Sequence, residues 1–398
     1  MVHTKTDKFI GLEQKYAANT YKPIDVVIER GEGAWVVDVD GKRYLDCLSA
    51  YSAVNQGHCN PRIKAAMLEQ LDRVTLTSRA FRNDKLGPFL QTLNEVTGYD
   101  MAIPMNSGAE AVEAAIKAAR KWGYAVKGIP DNQAEIITFS GNFHGRTISV
   151  ISFSSEEQYK AEFGPLTPGF KIVEYGNVEA LREAITPNTA AILVEPIQGE
   201  AGVVVPPVDF LKDAFDVCKA NNVLFIADEI QTGLGRTGKL FASDHAGIRP
   251  DIITIGKALS GGFYPVSAAI ADKEILGLFK PGDHGSTFGG NPLGAVVAKT
   301  ALDVLMDENL IERAAEMGEY FMGRLRRLEC EHIIEVRGQG LLIGMELNVP
   351  ARPFAYELKA KGVLAKETHD NVIRFAPPLV ISKEDIDWAM EHIEAVFN

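Results

Sequence analysis

A lysine and an aspartate stand at the ends of two apolar runs. Lys257 follows Ile252-Ile253-Thr254-Ile255-Gly256, and Asp228 follows Val223-Leu224-Phe225-Ile226-Ala227, 29 residues earlier. Taking either ion out of water at the tip of a buried strand is unfavourable unless a partner or a task compensates. A reagent with one aldehyde and one pyridine nitrogen would employ both. The amine bonds to the aldehyde, and the carboxylate keeps the ring nitrogen protonated so that the ring can draw electrons from a substrate carbanion. Pyridoxal phosphate is such a cofactor. The plainer reading is that Lys257 is one solvated cation among 41 Lys and Arg residues, and its place at a strand end is what sets it apart.

The elements that would position these groups follow from periodicity. Between about residues 100 and 270, β-rich runs at 136–139, 149–153, 191–195, 223–227, 252–256 and 267–271 alternate with helical patterns at 109–122 and 210–220. This rhythm predicts an α/β fold, a mostly parallel sheet flanked by helices, with ligands beyond the carboxyl ends of the strands. Glu195, Asp228 and Lys257 all fall there. From Pro292 a helical stretch runs to about Met306, then come a helix at 310–328 and short strands near 333–336, 341–347 and 372–375. The expected organisation is an N-terminal segment (1–50), a large domain (51–307) and a smaller α+β C-terminal domain (308–398). Within the first segment, residues 34–42 read as a strand meeting an Asp40-Gly41 hairpin turn.

Composition excludes several classes. With 46% apolar and 24% charged residues over 398 positions, the chain is an ordinary globular protein. A net charge of -12 argues against a nucleic-acid surface. Cys47, Cys59, Cys218 and Cys330 include no C-x-x-C pair, which fits a reducing compartment and offers no zinc site. Residues 1–12 lack the apolar core of a secretory signal, and no apolar run approaches the roughly 20 residues of a membrane span. The expectation is a cytoplasmic protein whose partners are small molecules.

Three further motifs could carry chemistry. Asn106-Ser107-Gly108-Ala109-Glu110 opens an alanine-rich helix with capping-box spacing, and free N–H groups at a helix start suit a phosphate. A merely well-capped helix explains the same residues. Gly233-Leu234-Gly235-Arg236-Thr237-Gly238-Lys239 satisfies two nucleotide-binding templates, yet Leu240 stands where a P-loop needs Ser or Thr for magnesium, so a pocket wall is the better reading. In Gly141-Asn142-Phe143-His144-Gly145-Arg146-Thr147, Phe143 could stack on a flat cofactor and Arg146 could grip a carboxylate. His144, a lone histidine in a turn, reads as structural, and no spacing supports a metal site.

Together these residues resemble the class III (subgroup II) pyridoxal-phosphate aminotransferases of fold type I, from about Tyr16 to Val380. The most specific stretches are Ser52-Ala53-Val54-Asn55-Gln56-Gly57-His58, Leu76-Thr77-Ser78-Arg79-Ala80-Phe81, Val194-Glu195-Pro196-Ile197-Gln198-Gly199-Glu200-Ala201-Gly202, Ala227-Asp228-Glu229-Ile230-Gln231-Thr232-Gly233, Gly256-Lys257-Ala258-Leu259-Ser260-Gly261-Gly262, His284-Gly285-Ser286-Thr287-Phe288-Gly289-Gly290-Asn291-Pro292 and Ile373-Arg374-Phe375-Ala376-Pro377-Pro378. The resemblance implies that Lys257 is the cofactor lysine and then the base that moves a proton between substrate and cofactor carbons. Asp228 is implied as the partner of the pyridine nitrogen. Ser107, Gly108 and Ala109 would hold the phosphate, Ser286 and Thr287 would reach it from a second subunit of a homodimer, Phe143 would stack on the ring, and Gln231 would lie near its hydroxyl.

Family members that act on ornithine carry tyrosines matched here by Tyr51 and Tyr21, which with Arg146 would hold the α-amino and carboxylate ends. Arg374 would bind the carboxylate of 2-oxoglutarate, and Glu200 would mask that arginine while ornithine binds. The sequence departs from familiar members where Ser107-Gly108-Ala109 replaces Thr-Gly-Val and where His144 replaces a tryptophan. Neither change removes a needed donor. Acetylornithine and 4-aminobutyrate stand as alternative donors, and a regulatory cofactor-binding protein is the alternative outside catalysis.

Overall fold

Hydrophobic alternation decides how the central sheet is covered. The computed structural model describes residues 4–397. Seven strands lie in the order Met101–Met105, Ser267–Ala271, Ile252–Ile255, Leu224–Asp228, Thr189–Val194, Glu135–Phe139 and Phe170–Val173. Ser267–Ala271 is antiparallel to both neighbours and the other pairs are parallel, so the remaining strands share one direction. Along the middle strands Ile192, Val194, Phe225, Ala227, Ile253 and Ile255 face one core, while Ala191, Leu193, Leu224, Ile226 and Ile252 face the other. Successive side chains of a strand point to opposite faces, so a continuous apolar run requires cover on both.

Helix Phe210–Ala220 contributes Phe210, Leu211 and Ala214 to the first core. Helix Gly108–Trp122 closes the second through Val112, Ala114, Ala115, Ile116, Ala118, Ala119 and Trp122. A four-stranded antiparallel sheet in the order Ile333–Gln339, Leu342–Leu347, Val372–Phe375 and Lys366–Thr368 follows, with helix Leu310–Leu325 packed beside it and helix Lys383–Phe397 packed on that helix. Strands Ile28–Glu32, Trp35–Asp38 and Arg43–Asp46 form a third sheet, joined in parallel by Val363–Leu364. Its Asp40-Gly41 corner is the expected hairpin turn, with Gly41 at φ +89°. No helix among the described residues is long and apolar enough to cross a membrane.

The structure corrects the expected strand at 149–153. Residues Ile148–Ile151 form a helical turn in which the Val150 amide is capped by Thr147 Oγ1, and Glu113 accepts the Thr147 hydroxyl at 2.6 Å. That cap overrides the β-preference of Ile148, Val150 and Ile151. Strands Met101–Met105 and Phe170–Val173 were not anticipated. Both are edges of the sheet, one interrupted by Pro104 and the other only partly buried, so neither carries the apolar signature of an inner strand.

Helix Leu310–Leu325 crosses the loop at Gly340 so closely that a Cβ on Gly318 would lie 2.2 Å from the Gly340 carbonyl. In an ordinary helix Gly→Ala stabilises by roughly 0.5–1 kcal/mol. Here Gly318→Ala is expected to lower stability by roughly 1–3 kcal/mol through overpacking, read from urea denaturation. Equal or greater stability would contradict this close approach.

Candidate active site

The carboxyl ends of neighbouring strands converge on one cavity of about 200 Å³. Asp228 closes Leu224–Asp228, Lys257 follows Ile252–Ile255 by two positions, and Glu195 follows Thr189–Val194. The Glu135–Phe139 strand leads to Phe143 and His144, and Met101–Met105 leads to the helix start at Gly108 and Ala109. All of these residues line the cavity, together with Gln231. Gly108 and Lys257 also line an adjoining, more open hollow with Ala50, Ser107, Ser260 and Tyr264.

Asp228 is fixed by its neighbours. Its Oδ2 meets His144 Nδ1 at 2.6 Å, and its Oδ1 accepts the Thr254 hydroxyl at 3.0 Å and the Ile230 amide at 3.1 Å. Burial pulls the His144 pKa down, but the Asp228 hydrogen bond and charge outweigh it and leave it raised. His144, read from the sequence as a structural turn histidine, is thus held as the partner of Asp228. Glu195 accepts the Phe143 amide at 2.9 Å, and burial lifts its carboxyl to about 7. The strand-end argument that marked Asp228 applied equally to Glu195, whose role nevertheless went unassigned.

Lys257 adopts φ +42°, a sparsely populated conformation for a residue with a Cβ. Burial depresses its amine from 10.5 to about 8, Arg374 adds to the effect, and Glu200, Asp228 and Glu195 oppose it. An amine of that pKa supplies far more free base near neutrality than an ordinary lysine.

Beside the cavity lies a charged cluster. Arg374, only 2% exposed, donates from Nη1 to Glu200 Oε1 at 2.7 Å, the Gly199 carbonyl at 3.1 Å and Gln231 Oε1 at 3.2 Å. Gln231 Nε2 donates to the same Glu200 oxygen at 3.2 Å. Burial pushes Glu200 up, yet Arg374 and Lys257 overcome it and hold the carboxyl at about 2. The Arg374 guanidinium also lies 4.9 Å from the Tyr51 ring centre. Tyr51 sits in a left-handed turn, Ser49–Ser52, in which φ runs +45°, +48°, +60° and +70°. Each such residue costs roughly 1–2 kcal/mol when it carries a Cβ.

Other expected residues lie elsewhere. Ser107 is committed to its capping box, donating its amide to Glu110 Oε2 at 2.7 Å, which leaves the amides of Gly108 and Ala109 as the free first-turn donors. Arg146 is exposed and stacks 3.5 Å from the centre of the Tyr159 ring, with Phe143 5.1 Å away. Tyr21 is 81% exposed, yet after burial and Glu200 it adds to the rise of the Tyr51 pKa, which places it at the rim of the cluster. Ser286 accepts from Asn106 Nδ2 at 3.0 Å, Thr287 is exposed, and neither lines the cavity of its own chain.

The arrangement fits a planar aldehyde with an anionic arm. Lysine and carboxylate face the same space, an aromatic ring and the buried His144–Asp228 pair flank it, and two unpaired amides stand at one end. The described residues hold no cluster suited to a metal ion.

Fold and site define a transaminase, and the comparisons agree. Residues 16–397 match the Aminotransferase class-III model, so the chain belongs to that family. It is 60% identical over 395 residues to the ornithine aminotransferase of Brevibacillus brevis, covering 99% of each chain. The solved ornithine aminotransferase of Toxoplasma gondii, which carries pyridoxal phosphate at partial occupancy, aligns with a TM-score of 0.98 at 46% identity over 100% of this chain and 95% of its own. An acetylornithine aminotransferase from Elizabethkingia anophelis aligns with a TM-score of 0.91 at 48% identity over 99% of both.

The lowered Lys257 pKa has a thermodynamic signature. Between pH 8 and 10.5 the unfolded chain retains a proton that the folded, ligand-free protein has released, so this group makes stability rise with pH. Compared with Lys257→Met, the wild type is expected to gain stability across that window in denaturant titrations. Parallel curves for the two proteins would refute the depressed pKa.

Proposed function

We propose that the chain transfers the δ-amino group of L-ornithine to 2-oxoglutarate, giving L-glutamate 5-semialdehyde and L-glutamate, with pyridoxal 5'-phosphate as cofactor. The observation that carries the substrate reading is the Glu200–Arg374 ion pair beside Lys257, in a chain 60% identical to an ornithine aminotransferase. When bound, the cofactor supplies an electron sink for the substrate carbanion. The amides of Gly108 and Ala109 would bind its phosphate, Phe143 would stack on its ring, Asp228, held by His144, would partner the ring nitrogen, and Gln231 would serve the ring hydroxyl.

Lys257 Nζ moves the proton between the reacting carbons. Its low pKa lets it accept that proton without strong base. Tyr21, Tyr51 and Arg146 receive the α-amino and carboxylate end of ornithine. An unmasked Arg374 would attract the same carboxylate and present the α-amine, so Glu200 covers it in the first half-reaction. In the second, Glu200 gives way and Arg374 takes the α-carboxylate of 2-oxoglutarate. Ser286 and Thr287 of a second copy complete the phosphate site in a homodimer, which explains why they miss the cavity of their own chain.

A donor screen separates ornithine from acetylornithine and 4-aminobutyrate. Ornithine is expected to give the highest kcat/KM for glutamate formation from 2-oxoglutarate, and a higher value for acetylornithine would reassign the substrate. Lys257→Ala is expected to lower turnover by at least about 10³-fold with the fold intact by circular dichroism. Glu200→Ala is expected to shift ornithine products from δ- towards α-transamination, and an unchanged product ratio would remove the masking role.

A further inference from the structure

The loop Gly233-Leu234-Gly235-Arg236-Thr237-Gly238-Lys239 has no task in the reaction above, yet one of its side chains reaches the left-handed turn at Ser49–Ser52 that carries Tyr51. Arg236 is 0% exposed and has no carboxylate in ion-pair contact among the described residues. Its Nη1 donates to the carbonyls of Leu341 at 2.9 Å and Pro377 at 2.6 Å, and its Nη2 donates to Ser49 Oγ at 3.1 Å and to Asn55 Oδ1. Ser49 Oγ donates onward to the Ala376 carbonyl at 2.7 Å. From the other side Asp46 Oδ1 accepts the Leu48 and Ser49 amides at 2.8 and 2.9 Å.

These contacts converge on two substrate residues. Ser49 begins the turn that carries Tyr51, while Ala376 and Pro377 directly follow the strand that carries Arg374. Four consecutive left-handed residues with side chains persist only where their surroundings over-determine them, and such strain collects at functional sites. A planar fork reaching four acceptors in fixed directions is a task for arginine, since a lysine ammonium cannot present two parallel prongs. For stability alone, an apolar side chain of similar volume would serve as well as a buried unpaired ion.

We propose that Arg236 is a positioning residue: by clamping Ser49 on one side and Pro377 on the other, it holds the Tyr51 ring against the Arg374 guanidinium and so sets the carboxylate-receiving end of the site. This rests on the reading that Tyr51 and Arg374 bind substrate. The clamp acts through those two residues and makes no hydrogen bond to Lys257.

The test measures the two half-reactions separately on holoenzyme, for wild type, Ser49→Ala, Tyr51→Ala and the double variant. Ser49→Ala cuts the link between clamp and turn while leaving Arg236 its other acceptors. Its half-saturation concentrations for amine donor and 2-oxoglutarate are expected to rise about fivefold to tenfold, the size of one lost hydrogen bond of ordinary strength. The limiting rates, which report on Lys257, are expected to stay within about twofold. The double variant is expected to be no weaker than Tyr51→Ala alone, because the two changes act on one path. Unchanged half-saturation in Ser49→Ala, equal losses in rate and affinity, or additive effects in the double variant would each overturn the proposal. If Ser49→Ala does not fold, Arg236→Lys takes its place in the same cycle with the same expected outcomes. Should the wild type refuse ornithine, the functional reading falls, and the cycle run with the accepted donor still decides the clamp.

Discussion

In the ion pair between Glu200 and Arg374 the buried arginine could not stand alone, and the site is assembled around that constraint. Arg374 comes from the C-terminal sheet, Glu200 from the loop after one central strand and Gln231 from the loop after the next. Taking an arginine out of water is unfavourable unless acceptors compensate, and here Nη1 gathers three of them, one a carboxylate oxygen. The pair therefore fastens the small sheet to the carboxyl edge of the large one. It also reaches the reaction centre electrostatically, since Glu200 and Arg374 pull the Lys257 amine in opposite directions.

That economy of charge continues beneath the lysine. Asp228, His144 and Glu195 are buried together, and each is held by a specific donor or acceptor: Thr254 and Ile230 for Asp228, the Phe143 amide for Glu195. Rigid strands deliver two of the three, so their spacing is set by sheet geometry and not by loop conformation. A site that must keep several ionisable groups a few ångströms apart in a dry place gains most from such a scaffold.

Parts of this were legible in the chain and parts were not, for physical reasons. Lys257 and Asp228 stood out because a charge ending an apolar run is conspicuous, and the inner strands were visible because burial on both faces leaves an uninterrupted apolar signature. The edge strands carry no such signature, and the run at 149–153 looked extended only because the Thr147 cap and its Glu113 acceptor could not be seen from composition. His144 reads as structural, but its partner could not be named because it lies 84 positions away. The turn at Ser49–Ser52 contains no glycine and therefore no sequence cue for its handedness. Arg236 was hidden inside a pattern that resembles a nucleotide loop, where its buried fork of acceptors could not be guessed.

The alanine face of helix Gly108–Trp122 imposes a limit on the whole design. Methyl groups let the helix axis approach the sheet more closely than leucines would, and helix packing distances follow the size of the side chains between the partners. That thin layer acts as a shim beneath the Gly108 and Ala109 amides and sets how far they stand from the lysine across the cavity. Larger side chains would fill the core better but would lift the helix and withdraw the anion-binding end from its reach. In this part of the chain, interior volume is governed by a distance that chemistry needs, so the usual route to a sturdier core is closed.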